Sequence, residues 1–65
     1  MKLRIEMNLD NAAFSEGGVE EVRRILNKMC ARLPDPLEGG WEWKAMDSNG
    51  NRVGKATITG RRIDA

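Results

Sequence analysis

A chain of 65 residues with one cysteine and no histidine must fold on packing alone. Cys30 has no partner for an internal disulfide, and the usual zinc ligand set is missing. Small domains leave much of their surface wet, so this length allows one sheet and one helix but hardly an enclosed substrate cavity. An enzyme is not expected. Eleven Lys and Arg against ten Asp and Glu give a net charge of +1. That balance excludes the global field of a DNA-coating protein or of an acidic DNA mimic, and leaves any electrostatic partner to a local patch.

In "MKLRIEMNL" Leu3, Ile5, Met7 and Leu9 alternate with Lys2, Arg4, Glu6 and Asn8. Period-two alternation predicts a strand over 2–9, buried on one face. The same alternation leaves no continuous apolar run for a signal peptide or a membrane span, so a cytoplasmic protein is expected. "DNAAFSEGG" reads as a loop in which Ala12, Ala13 and Phe14 fold back on the sheet edge or the helix start, with Ser15 or Asp10 as N-cap. Val19, Val22, Ile25, Leu26, Met29, Cys30 and Leu33 recur at three- and four-residue spacing, which predicts an amphipathic helix over 18–33. Glu20 with Arg24 forms a favourable i,i+4 pair, and Lys28 and Arg32 suit the helix C-terminus. Pro34 and Pro36 end it.

Asn49-Gly50 favours a two-residue type I′ turn. Hairpin strands over 41–47 and 52–60 then place Met46 opposite Val53, Ala45 opposite Gly54, Trp43 opposite Ala56 and Trp41 opposite Ile58. Large residues meet small ones, and Trp41, Trp43, Ala45, Gly54, Ala56 and Ile58 share the helix-facing side. Glu42, Lys44, Met46, Val53, Lys55 and Thr57 fall outside. Lys44 opposite Lys55 calls for relief from Glu42 or from an acid on the neighbouring strand. The expected fold is a single α+β domain over 1–65 of order β-α-β-β. Its three-stranded sheet carries one helix on one face, and strand one lies antiparallel beside strand three in preference to parallel beside strand two.

No catalytic constellation is visible, and no catalytic, cofactor or metal residues are expected. Cys30 lies on the apolar stripe, where it is expected to pack as an inert core thiol. Glu20 with Glu21 and Asp35 with Glu38 read as solvated face and loop. "DSNGN" has the oxygen ligands that open a calcium loop but lacks the closing Glu of an EF-hand, so a hairpin turn is the better reading. The two "GG" pairs lack a phosphate-loop context. Trp41 and Trp43 are expected in the core, with one partly exposed at the edge. The candidate binding residues are Lys2, Arg4, Lys44 and Lys55 on the outer sheet face, Arg52 near the turn, and Arg61 and Arg62 at the tail. Glu6 and Glu42 interrupt the patch, and no exposed aromatic is expected for base stacking.

"RIEMNLDNAAF", the helix "VEEVRRILNKM" and "DSNGNRVGKATI" together resemble small proteins of phages, prophages and plasmids with a D-N-A-A-F segment and a D-x-N-G-N-x-V-G hairpin. The resemblance covers most of the chain, departing at "PDPLEGGWEWKA". It implies an accessory protein of a mobile element that acts by stoichiometric binding of a host protein or complex, in its sharpest form an anti-CRISPR-like inhibitor of host defence. A nucleic-acid-binding factor using the basic sheet face is the alternative, and a structural phage component acting as a homo-oligomer is a third class.

Overall fold

The computed structural model describes residues 1–60. β1 (Lys2–Met7), a 3₁₀ turn (Ala12–Phe14), α1 (Gly18–Arg32), β2 (Trp41–Met46) and β3 (Arg52–Thr59) follow in that order. The sheet is antiparallel throughout, in the order β1-β3-β2. The helical crossover thus returns the chain to the far edge, and the hairpin brings β3 into the centre beside β1. This is the expected α+β arrangement with the preferred pairing of strand one.

The elements are slightly shorter than expected, for local reasons. Asn8 still donates its N–H to the Val53 carbonyl, but its Oδ1 accepts the Asp10 N–H at 2.9 Å, and this side-chain turn ends β1 before Leu9. Leu33 is extended (φ −60°, ψ 139°) because the following proline disfavours the helical region for the residue before it. Neither Ser15 nor Asp10 caps α1. Gly17 precedes the helix with no side-chain cap, while Asn11 caps the 3₁₀ turn by accepting the Ala13 N–H at 3.0 Å.

From Trp41 to Ala45 the hairpin keeps the expected register: Trp41 faces Ile58, Trp43 faces Ala56, Lys44 faces Lys55 and Ala45 faces Gly54. Beyond Ala45 it shifts by a bulge, so Met46 faces Arg52 instead of Val53. The cause lies in the turn. Asn49 does not take the positive φ that type I′ requires; Gly50 alone does, at +82°. Gly50 donates to the Asp47 carbonyl and Asp47 N–H donates to the Asn51 carbonyl, the pattern of a three-residue loop, Ser48–Gly50, closed by a left-handed glycine. The extra residue changes the phase of the strand. Val53, expected outside, turns inward and is 7% exposed, packed with Ile25 and Ala45.

Gly54, next to the bulge, sits against the backbone of β1. A Cβ there would fall 1.9 Å from the Glu6 carbonyl oxygen and 2.8 Å from the Met7 Cα, so only glycine lets β3 approach β1 at this point. The core comprises Ile25, Met29, Ala45, Val53, Ala56 and Ile58, flanked by half-buried Met7, Phe14 and Trp43.

Two expectations of burial are corrected. Leu3 and Ile5 share the helix-facing side of the sheet through their partners Ile58 and Ala56, yet remain 45% and 41% exposed, and Leu9 is exposed as well. Cys30 is also exposed instead of packed. Both follow from geometry: a helix is about 10 Å across, and α1 packs on β2, so it does not reach over the edge strand β1. Of the broad stripe, Ile25 and Met29 are buried, while Val22 and Leu26 are half-buried at its border.

Candidate functional site

Three surfaces carry chemistry, and the first is a polar clamp between α1 and the hairpin loop. Glu21, expected on the solvated face, is 9% exposed. Its carboxylate accepts Arg24 Nε at 2.8 Å, Arg24 Nη2 at 3.1 Å and the Ser48 N–H at 2.7 Å. Arg24 Nη2 also donates to the Met46 carbonyl at 3.3 Å. The expected Glu20–Arg24 pair is therefore replaced by two i,i+3 pairs, Glu20–Arg23 and Glu21–Arg24. Hydrogen bonding from Arg24 holds the Glu21 carboxyl down at about 2 from the ordinary 4.5; burial opposes this, and the Ser48 N–H adds to it. The same bonding raises Arg24 above its usual range. Below it Asp47, 4% exposed, accepts the N–H groups of Asn49 and Asn51 at 2.9 and 2.8 Å. These groups are mutually satisfied, so the clamp shapes the loop and offers no reactive group.

The second surface is the outer face of the sheet, where most of the sequence-nominated residues lie. Arg4, Thr57 and Glu42 form one cross-strand row, and Glu6, Lys55 and Lys44 the next. Lys44 does face Lys55, and Glu6 on β1 is the acid that lies opposite Lys55 on its other side. Lys2 lies opposite Thr59, and Arg52 opposite Met46 at the turn end. Arg61 and Arg62 lie outside the described residues. The face is thus a mixed surface in which cations alternate with acids. Lys44 also lines a cleft of about 450 Å³ with Arg24, Lys28, Arg32 and Trp43. The sequence places Arg24, Lys28 and Arg32 away from the apolar stripe, and their four-residue spacing sets all three on one face, but it does not show that this face meets Lys44.

The third surface is an apolar groove of about 410 Å³ on the opposite flank of α1, lined by Leu9, Phe14, Val19, Val22 and Leu26, with Gly18 and Arg23. The 3₁₀ turn builds it by setting Phe14 against the start of α1, where its Cβ lies 3.6 Å from the position a Gly18 Cβ would take. Val19 is 70% exposed, an unusual position for a β-branched apolar residue. In the sequence Val19 and Leu9 read as core positions, and only the lateral placement of α1 turns them outward.

Among the described residues no group of three or more Cys, Asp or Glu gathers in a way that could hold a metal ion, and no helix is long and apolar enough to cross a membrane. No family model, curated protein or solved structure matches this chain.

Proposed function

We infer that the chain is a small, non-enzymatic interaction protein that binds a protein partner stoichiometrically through the apolar groove of α1 and the 3₁₀ turn. The observation that carries this reading is the set of apolar side chains, Leu9, Phe14, Val19, Val22 and Leu26, gathered at one open surface in a domain with so little core to spare. Contiguous apolar surface left open on a small domain marks a site of protein interaction. Together with the resemblance to mobile-element proteins, the reading takes its sharp form as inhibition of a host defence complex.

The test is affinity capture of the tagged chain from a bacterial lysate, with and without nuclease, alongside the Val19→Glu variant. A dominant complex of fixed stoichiometry that survives nuclease and moderate salt, and is lost with Val19→Glu, supports the reading. The second reading, nucleic-acid binding, is favoured by Lys28, Arg32 and Lys44 meeting beside Trp43 in one cleft. It calls instead for recovery that nuclease abolishes and that falls steeply with salt.

A further inference from the structure

β1 is an edge strand, and among the described residues its outer edge pairs with nothing. It is six residues long, contains no proline or bulge, carries its charged residues Lys2, Arg4 and Glu6 on one face, and presents Leu3 and Ile5 exposed on the other. We propose that a second copy of this chain occupies that edge, β1 pairing antiparallel with β1 of the other protomer about a two-fold axis at Ile5 to give a continuous six-stranded sheet. This is independent of the partner taken by the groove.

The argument for this occupant is the self-complementarity of the strand. An antiparallel two-fold pairing must set residues of like parity opposite each other, so that each face of the sheet continues across the axis. With Ile5 on the axis, Ile5 meets Ile5 of the second copy, Leu3 meets Met7, and Arg4 meets Glu6, the last two each occurring twice. On the helix-facing side, every contact is then apolar. On the outer side, Arg4 and Glu6 form opposite-charge pairs, and Lys2 falls opposite the neutral Asn8.

The neighbouring registers lack this consistency. A shift one way puts Arg4 opposite Arg4, and a shift the other way puts Glu6 opposite Glu6, like charges on the axis that the pairing must overcome. The other edge, β2, also has a charge-matched pairing, Glu42 with Lys44 about Trp43. There, however, α1 flanks the strand, and the cleft beside it carries Arg24, Lys28 and Arg32. Joining two copies along β2 would bring two such cationic helix faces together.

The test measures molar mass by sedimentation over a concentration series of the full chain. The wild type is expected to move from monomer to dimer as concentration rises. Arg4→Glu and Glu6→Arg, each alone, turn both charge pairs from attraction to repulsion and should weaken dimerisation about tenfold or more. Their equimolar mixture should form a heterodimer, and the double variant R4E/E6R should dimerise again. Tryptophan fluorescence from Trp41 and Trp43 checks that each variant is folded. If a charge variant fails to fold, the register is read from cysteine cross-linking in a Cys30→Ser background: Ile5→Cys should couple to itself, and Leu3→Cys only to Met7→Cys. A wild type that stays monomeric to its solubility limit would overturn the proposal. So would a dimer indifferent to both charge variants, or one that cross-links through Trp43→Cys in place of Ile5→Cys.

Discussion

Glu21, Ile25 and Met29, spaced four apart along α1, are buried against β2 and the hairpin loop, whereas Val19, Val22 and Leu26 on the opposite flank line an open groove. The two flanks have similar apolar content in the sequence and opposite fates in the fold. On the β2 side, one bulge turns Val53 inward, and the Glu21–Arg24–Ser48 bonds fasten the loop to the helix. On the β1 side there is no equivalent closure, and the apolar residues of both the helix and the edge strand meet solvent. A single helix over three strands does not cover both flanks, so the domain concentrates its stability on one and leaves the other open to solvent.

The contrast can be broken most severely at Gly54. Gly54→Ala forces the backbones of β3 and β1 apart and is expected to cost about 3 kcal/mol or more, enough to unfold much of a domain this small, as read by urea or thermal melting. Ile25→Ala removes the most deeply buried large side chain from the closed flank and should cost about 2 to 3 kcal/mol by the same measurement. Asp47→Ala leaves the N–H groups of Asn49 and Asn51 without their acceptor. It should cost about 1 to 2 kcal/mol, with the hairpin amides losing hydrogen-exchange protection first.

A milder break is made with acid. The Glu21 carboxyl is lower in the folded state, at about 2 against 4.5, so the unfolded state binds the proton first. The stability this group contributes is therefore complete above about pH 4.5 and is lost as the pH falls toward 2. Glu21→Gln should lower the neutral-pH melting temperature by less than Ile25→Ala does, and it should flatten this part of the pH profile. A profile identical to the wild type would place the acid sensitivity elsewhere.

How much of this was legible in the sequence follows the same division. The period-two pattern of β1 and the three-four spacing of α1 marked those two elements, and the large-against-small pairing of Trp43 with Ala56 set the hairpin register from Trp41 to Ala45, because each signal repeats over several residues. Val53 was misplaced because a bulge is a single insertion with no period; its signal is the Asp47 side chain, which folds the loop into three residues and displaces the favoured type I′ turn. Glu21 was misread because an acid in the first helical turn already has a sufficient local explanation in the helix dipole, while its partner Ser48 lies 27 residues away. The groove was illegible for a different reason. Val19, Leu9 and Cys30 obey the rule for core residues, and only the lateral position of α1 over β2 decides that they stay outside. The basic candidates Lys2, Arg4, Lys44 and Lys55 were correctly grouped on one face, and their interruption by Glu6 and Glu42 was legible too. The cationic cleft beside Trp43 needed the helix position as well.

The central claim, that one flank of α1 stabilises the fold and the other binds, is tested most directly by comparing Glu21→Gln and Val19→Glu for both unfolding free energy and partner capture. Val19→Glu places an acid in the first helical turn, four residues before Arg23, so its stability should stay within about 0.5 kcal/mol of the wild type while capture is lost. Glu21→Gln should do the reverse, lowering stability and leaving capture by the folded fraction unchanged. If Val19→Glu captures the partner as well as the wild type does, or Glu21→Gln abolishes capture with the fold intact, the assignment of the two flanks is contradicted.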